Sequence, residues 1–399
     1  MTTTEPDPIE KLFWPETANS PHAAYQRVMA ECPVARTEGI TGSPAVCVTK
    51  YEDVMWALKH PEVFSSGAEA VTIGQKDKLI PLQLDPPEHA KYRRMLDPEF
   101  SPRRIAEIEP DARKLVNEII DGFAANGECD FHEDFATPLP SGIFLRLMNL
   151  PPEDLATFLQ WRDNTIRPDV EPGDMEGAAR IREETGRAIT AYFADAIEER
   201  RKTPDDGLLS RIVHNEIDGR PPTMDELLGI MHLMLLAGLD TVTATLDCMV
   251  AYLGQHPDRR DAIAQDPAVA SSAIEELLRT ETPVMMVARV VKEDAVFGGV
   301  QLAKGDGATI LIGAANVDEG EFVDPSSVVF DREGNRHVAF GAGPHRCLGS
   351  HLARMELRVA LEELHKRIPD YRVADDAVLN YSPGIRQADS IPLVFTPVP

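Results

Sequence analysis

The sequence predicts a mainly α fold with small β-sheets at its margins. Three observations predict it: apolar residues recur at helical spacing along most of the 399 residues, strand-like runs are few, and no linker, low-complexity tract or internal repeat divides the chain. With 43% hydrophobic residues the chain can bury a large core, which favours a single domain at 21–399 behind an N-terminal tail at 1–20.

In chain order, helical periodicity places helices near 51–59, 87–96, 103–125, 152–166, 175–202, 223–255, 267–281 and 350–368. Strand-like runs fall at 33–49, around the turn Gly39-Ile-Thr-Gly-Ser-Pro44, at 286–312 and at 371–395. The helix at 223–255 has its own start signal, since Thr223 followed by Glu226 is a capping box. Its run from Leu227 to Leu239 is apolar almost all round, so this helix is expected at the centre of the core. The run is too short to span a bilayer, and no stretch is expected to reach that length. The first residues lack the basic and apolar regions of a secretory signal.

A formal net charge of −26 repels phosphate backbones and anionic membranes, which excludes nucleic acid as a partner. Cys32, Cys47, Cys129, Cys248 and Cys347 are an odd set without metal-finger spacing. They indicate neither a disulfide framework nor a zinc site, and a cytoplasmic location fits.

Cys347 lies in the run Phe340-Gly-Ala-Gly-Pro-His-Arg-Cys-Leu-Gly349. The glycines let backbone fold tightly beneath a flat ligand, and the N–H groups after Cys347 open a helix whose N-terminus favours negative charge. That combination suits a thiolate ligand to haem iron. A second run, Ala237-Gly-Leu-Asp-Thr-Val242, puts an acid beside a hydroxyl inside the buried helix. Such a pair is costly unless it is used or well paired, and it can relay protons.

These two runs resemble those of the cytochrome P-450 family, in its soluble bacterial branch of camphor hydroxylase-like members. The likeness extends from about Tyr25 to Phe395 and includes Gly299-Val-Gln-Leu-Ala-Lys-Gly-Asp306 and the segment from Gly127 to Pro140. It implies a haem b cofactor held between a long central helix and the cysteine loop, with Cys347 as the axial ligand to iron. It further implies that Thr241 steadies bound dioxygen and that Asp240 gates proton delivery. His89, Arg93, Arg289 and His345 match positions that hold haem propionates. Glu276, Arg279 and Arg332 match a buried structural network.

By the family pattern the substrate pocket would be lined by Leu82, Leu84, Leu235, Leu236, Ala237, Val284, Met285, Met286, Val287 and Ile385. All are apolar, so the substrate is expected to be a hydrophobic small molecule: a terpenoid, ionone-like, steroid or aromatic compound. The stretch 71–84 has no aromatic residue where the camphor enzyme places its tyrosine, which argues against camphor. The implied reaction is monooxygenation with dioxygen and electrons from NAD(P)H through a ferredoxin reductase and ferredoxin. A peroxide-driven peroxygenase and a non-catalytic haem-thiolate sensor or carrier are the alternatives.

Positive charge gathers in two places. From Arg336 to Arg367 six Lys/Arg face three acids, and from His89 to Arg104 five face two, so each segment carries +3 and the remainder −32. The resemblance puts both segments on the thiolate side of the haem, where they would steer an acidic ferredoxin.

Overall fold

The computed structural model describes residues 9–38, 43–70, 78–171 and 173–398. The turn expected at 39–44 lies largely outside them, as does the first half of the stretch 71–84. The N-terminal part opens with α1 (Pro15–Asn19), α2 (His22–Glu31), β1 (Val34–Glu38), β2 (Pro44–Val48), α3 (Tyr51–Lys59) and β3 (Phe64–Ser65). The helical body follows with α4 (Glu88–Leu96), α5 (Pro102–Asp121), β4 (Glu128–Asp130), α6 (Pro138–Met148), α7 (Leu155–Ile166), α8 (Met175–Lys202) and α9 (Leu208–Val213). Next come α10 (Met224–Leu239), α11 (Thr241–Gln255), α12 (Pro257–Gln265) and α13 (Ala270–Glu281). The chain closes with β5 (Val287–Val291), β6 (Ala295–Phe297), β7 (Val300–Leu302), β8 (Gly307–Ile310), α14 (Ile312–Ala315), α15 (Ser350–Arg367), β9 (Arg372–Val373) and β10 (Pro392–Val394).

Small sheets flank the helices, as the sequence predicts. One sheet has the order β1-β2-β8-β5-β3, with β2 and β8 parallel and the other pairs antiparallel. The others are β4-β10-β9 and the β6-β7 hairpin. Of the stretch expected as a tail, residues 9–20 are described, and Ile9, Leu12 and Ala18 in it are buried. The packed body therefore begins ahead of residue 21.

Three departures from the expected helices have physical causes. Helices α2, α6, α9 and α12 lie outside the expected set; α6 and α12 start at Pro138 and Pro257, which a first helical turn tolerates. The helix expected at 223–255 is interrupted at Asp240 (φ −112°), between α10 and α11, although Thr223 and Glu226 form the expected capping box. Finally, Met224–Gln255 is long and apolar enough to cross a membrane by length and composition, contrary to expectation. The apolar run continues past Asp240 into α11, and most of it is buried as the central element of the main core.

Candidate active site

Glycines shape the cysteine loop. Gly341 and Gly343 adopt left-handed backbone at φ 66° and 67°, and a Cβ on Gly343 would stand 2.3 Å from the Leu58 carbonyl oxygen. Only glycine fits there without moving backbone. The loop closes where Cys347 N donates to Phe340 O at 2.8 Å, and Gly349 is the N-cap of α15. Cys347 has accessible surface although protein crowds it deeply, because its open side faces an internal cavity that it lines. Burial pushes the thiol above its ordinary value, against the Gly349 N–H and the charges of Arg93, Arg346 and Arg354. A metal bonded to the sulfur would oppose that burial effect, since a coordinating thiol is deprotonated outright.

At the rim of the same cavity His89, Arg93, Arg289 and His345 come together. The His89 and His345 rings lie 4.2 Å apart, and His345 Nε2 is buried without a hydrogen-bond partner. Burial and then Arg93 lower His89 to about 4, while burial followed by His89 and Arg289 lowers His345 to about 3. Burial also lowers Arg289 to about 10, with Asp85 opposing it. Asp85 is itself engaged by Ser65 Oγ, Ser66 N and Lys292 Nζ at 2.6, 2.9 and 3.1 Å. Arg93 is partly satisfied by Arg346 O and Asp97, both at 2.7 Å. The cluster is short of negative charge, and a ligand carrying two carboxylates, such as haem, fits it.

Thr241 opens onto the cavity directly after the helix interruption, and its Oγ1 donates to Ala237 O at 3.1 Å. Four residues on, Thr245 Oγ1 donates to Thr241 O at 2.7 Å. A methyl group on Gly238 would meet Phe144 at 3.3 Å, so this glycine leaves room where the two helices cross. Asp240 is fully buried, and its carboxylate is clasped by Arg167 at 3.0, 3.1 and 3.2 Å. Arg167 caps the C-terminus of α7, 73 residues away, so only the fold reveals this partner.

The cavity measures about 360 Å³. Of the pocket residues expected from the sequence, Leu82, Ala237, Val284 and Val287 line it. Leu84, Leu235, Leu236, Met285, Met286 and Ile385 do not; Leu235 and Leu236 pack in the main core and Met285 in a cluster under the N-terminal helices. The reason is helical phase. Met234, Ala237, Gly238 and Thr241 share one face at spacings of three and four, which turns Leu235 and Leu236 elsewhere. Phe144, Leu147 and Met148 of the unpredicted α6 complete the apolar wall. Glu356 of α15 also lines the cavity; its Oε2 has no partner, and burial raises its carboxyl well above the usual range.

Behind the cavity, Glu276 is completely buried between Arg279 (2.8 and 2.9 Å) and Arg332 (2.9 and 3.1 Å). Val329 N and Asn335 Nδ2 donate to it as well. Arg279 spends its remaining donors on the carbonyls of Asn316, Pro325 and Ser327.

With this geometry in view, comparison with known proteins is informative. Residues 174–367 match the family model of cytochrome P-450. Over 399 residues the chain is 33% identical to the steroid C26-monooxygenase of Mycolicibacterium smegmatis, covering 100% of this chain and 98% of the relative. The chain belongs to the cytochrome P-450 family. Among solved P-450 structures, PksS of the Bacillus subtilis bacillaene polyketide synthase superposes with a TM-score of 0.88 at 31% identity, covering 96% of this chain and 100% of that one. CYP109E1 of Bacillus megaterium in complex with testosterone gives 0.87 at 27%, covering 96% and 99%. The protein is accordingly an oxidoreductase, a P-450 monooxygenase with haem b as cofactor.

The two basic segments are less bare than their sums suggest. Arg354 pairs with Glu275 at 2.6 Å, Arg358 with Glu109 at 2.5 Å, Arg367 with Asp121 at 2.8 Å and Arg104 with Glu107 at 3.1 Å. Lys91 and Arg94 share Asp218. Among the described residues Arg103 and Arg346 carry no ion pair, and both are exposed.

Proposed function

We propose that this P-450 hydroxylates a steroid- or terpenoid-sized hydrophobic molecule, with electrons from NAD(P)H through a ferredoxin reductase and ferredoxin. The observation that carries this reading is one cavity shared by Cys347, an apolar wall and the Thr241 hydroxyl. In this reading Cys347 ligates the iron, and His89, Arg93, Arg289 and His345 hold the propionates. Haem, when bound, supplies dioxygen activation.

The chain's own residues do the rest. Leu82, Phe144, Ala237, Val284 and Val287 bind by shape and exclude water. Among the described residues, and apart from groups at the haem edge, Thr241, Thr245 and Glu356 are the polar side chains that reach the cavity, which favours an uncharged substrate. Thr241 Oγ1, whose proton rests on Ala237 O in this structure, turns it toward the cavity in this reading, and Asp240, once released from Arg167 and protonated from solvent, resupplies it. That acid and alcohol speak against the peroxygenase alternative. The Glu276, Arg279 and Arg332 network braces the loop that leads to Cys347. Support for a steroid comes from the activity named for the Mycolicibacterium relative and from the testosterone held by CYP109E1. A cytoplasmic location is consistent with five free cysteines.

The test is a screen of steroids, terpenoids and ionones for ligands that shift the Soret band of the haem-loaded protein. The hits are then turned over with ferredoxin, its reductase and NADPH. Hydroxylated steroid or terpenoid is the expected product. Hits confined to charged or long-chain acids would overturn the substrate class.

A further inference from the structure

Pro283 and Val284 line the cavity from the stretch between α13 and β5, and a buried cation behind them ties that stretch to three other parts of the chain. Val284 bridges Ile385, and Met285 N donates to Gly384 O at 3.0 Å. The next residue in the C-terminal loop is Arg386, whose N–H donates to Pro283 O at 2.8 Å. Its side chain does not line the cavity. Nη1 donates to Glu281 O at 2.7 Å and to Glu281 Oε2 at 3.1 Å, while Nε donates to Ala18 O at 2.8 Å. The guanidinium also lies 5.1 Å from the centre of the Tyr381 ring, and the Arg386 carbonyl accepts Cys248 Sγ of α11 at 3.2 Å.

Arg386 is 4% exposed and, among the described residues, has a single acidic partner. A buried ion pair of this kind is weak support for stability, because desolvation offsets its attraction and an apolar pair of similar volume serves as well. What a planar guanidinium supplies is geometry, with donors fixed in one rigid fork. Here the fork sets the end of α13, and so Pro283 and Val284, against α1 and the C-terminal loop.

We propose that Arg386 is a positioning residue for the substrate: from behind the cavity wall it fixes Pro283 and Val284 and thereby sets where a bulky ligand sits relative to the haem. The proposal rests on reading the cavity as the substrate site. Small displacements of such a wall change the placement of the reacting bond, to which rates are steeply sensitive.

Two nitrogen ligands of haem iron separate this role from a structural one. Imidazole reports on the iron site alone, whereas the added ring of phenylimidazole also samples the cavity wall if that wall is the substrate site. In the double variant Glu281→Gln/Arg386→Met, which leaves no buried charge unpaired, imidazole should bind within about twofold of wild type. Phenylimidazole should weaken about tenfold, or ~1.4 kcal/mol. Arg386→Lys keeps the charge beside Glu281 but cannot reach Ala18 O at the same time. It should show a smaller loss of the same selective kind, and it carries the test alone if the double variant fails to load haem. Unchanged affinity for both azoles in the variants, with only a lower melting temperature, would reduce Arg386 to a stability element and overturn the proposal. Equal weakening of both azoles would overturn it too, since that reports damage at the haem itself. Failure of the underlying reading looks different: wild type would then bind phenylimidazole no better than imidazole.

Discussion

Asp240 and Thr241 occupy adjacent positions but different surroundings, one sealed against Arg167 and the other open to the cavity. That division gives them separable phenotypes. Thr241→Ala should retain the substrate-induced Soret shift while diverting electrons to hydrogen peroxide, so product formed per NAD(P)H consumed falls. Asp240→Asn should slow turnover by about 100-fold, the usual scale for a lost proton-transfer group. Unchanged rate and coupling in both variants would remove the relay. Glu356 makes a different prediction. Burial raises its carboxyl well above the usual range, so the folded state holds a proton that the unfolded state releases. Stability from this group is complete below the unfolded value and is lost as pH rises toward the folded one. Glu356→Gln removes that loss, so its melting temperature relative to wild type should rise as pH is raised above the ordinary carboxyl range. A difference that stays constant as pH is raised would contradict the assignment.

Among the elements, α13 carries two adjacent acids that face different partners. Burial pushes Glu275 up, but Arg354 and His337 outweigh it and hold the carboxyl down at about 2, tying α13 to α15. Glu276 is held low in the same way by Arg279, Val329 N and Arg332. For lowered carboxyls the stabilisation is present above the unfolded value and is lost as pH falls through the folded one. Acid titration should therefore release haem and unfold the protein below about pH 4. Glu275→Gln should flatten that acid limb while lowering stability at neutral pH. An acid limb identical to wild type would contradict the pairing.

The elements also show what was legible in sequence. The capping box at Thr223 and the cysteine loop are local patterns, readable from spacing alone. Helix α6, which starts at Pro138, was not among the expected helices, and with it the wall residues Phe144, Leu147 and Met148 were missed. Arg167 was invisible because its partner lies 73 residues away. Glu356 was masked by Arg354 and Arg358, which give its helix turn the look of a solvated face.

Across the whole molecule, a chain of formal charge −26 must attract an electron donor that is itself acidic, if that donor is a ferredoxin. Most cations of the two basic segments are already paired, so the attraction falls chiefly to Arg346 and Arg103. Arg346→Glu should slow ferredoxin association and first-electron transfer more than Arg104→Glu, whose native arginine is engaged by Glu107. Both effects should shrink as salt is raised, with substrate binding intact. Association that ignores ionic strength and both reversals would place the docking face elsewhere. The central claim, that this fold inserts one atom of dioxygen into a hydrophobic substrate at a haem held by Cys347, is tested most directly by turnover under isotopically heavy dioxygen. With ferredoxin, reductase, NADPH and a ligand that shifts the Soret band, the hydroxylated product should carry one heavy oxygen, and Cys347→Ser should form none. Product that draws its oxygen only from added peroxide, or forms equally well in Cys347→Ser, would contradict the account.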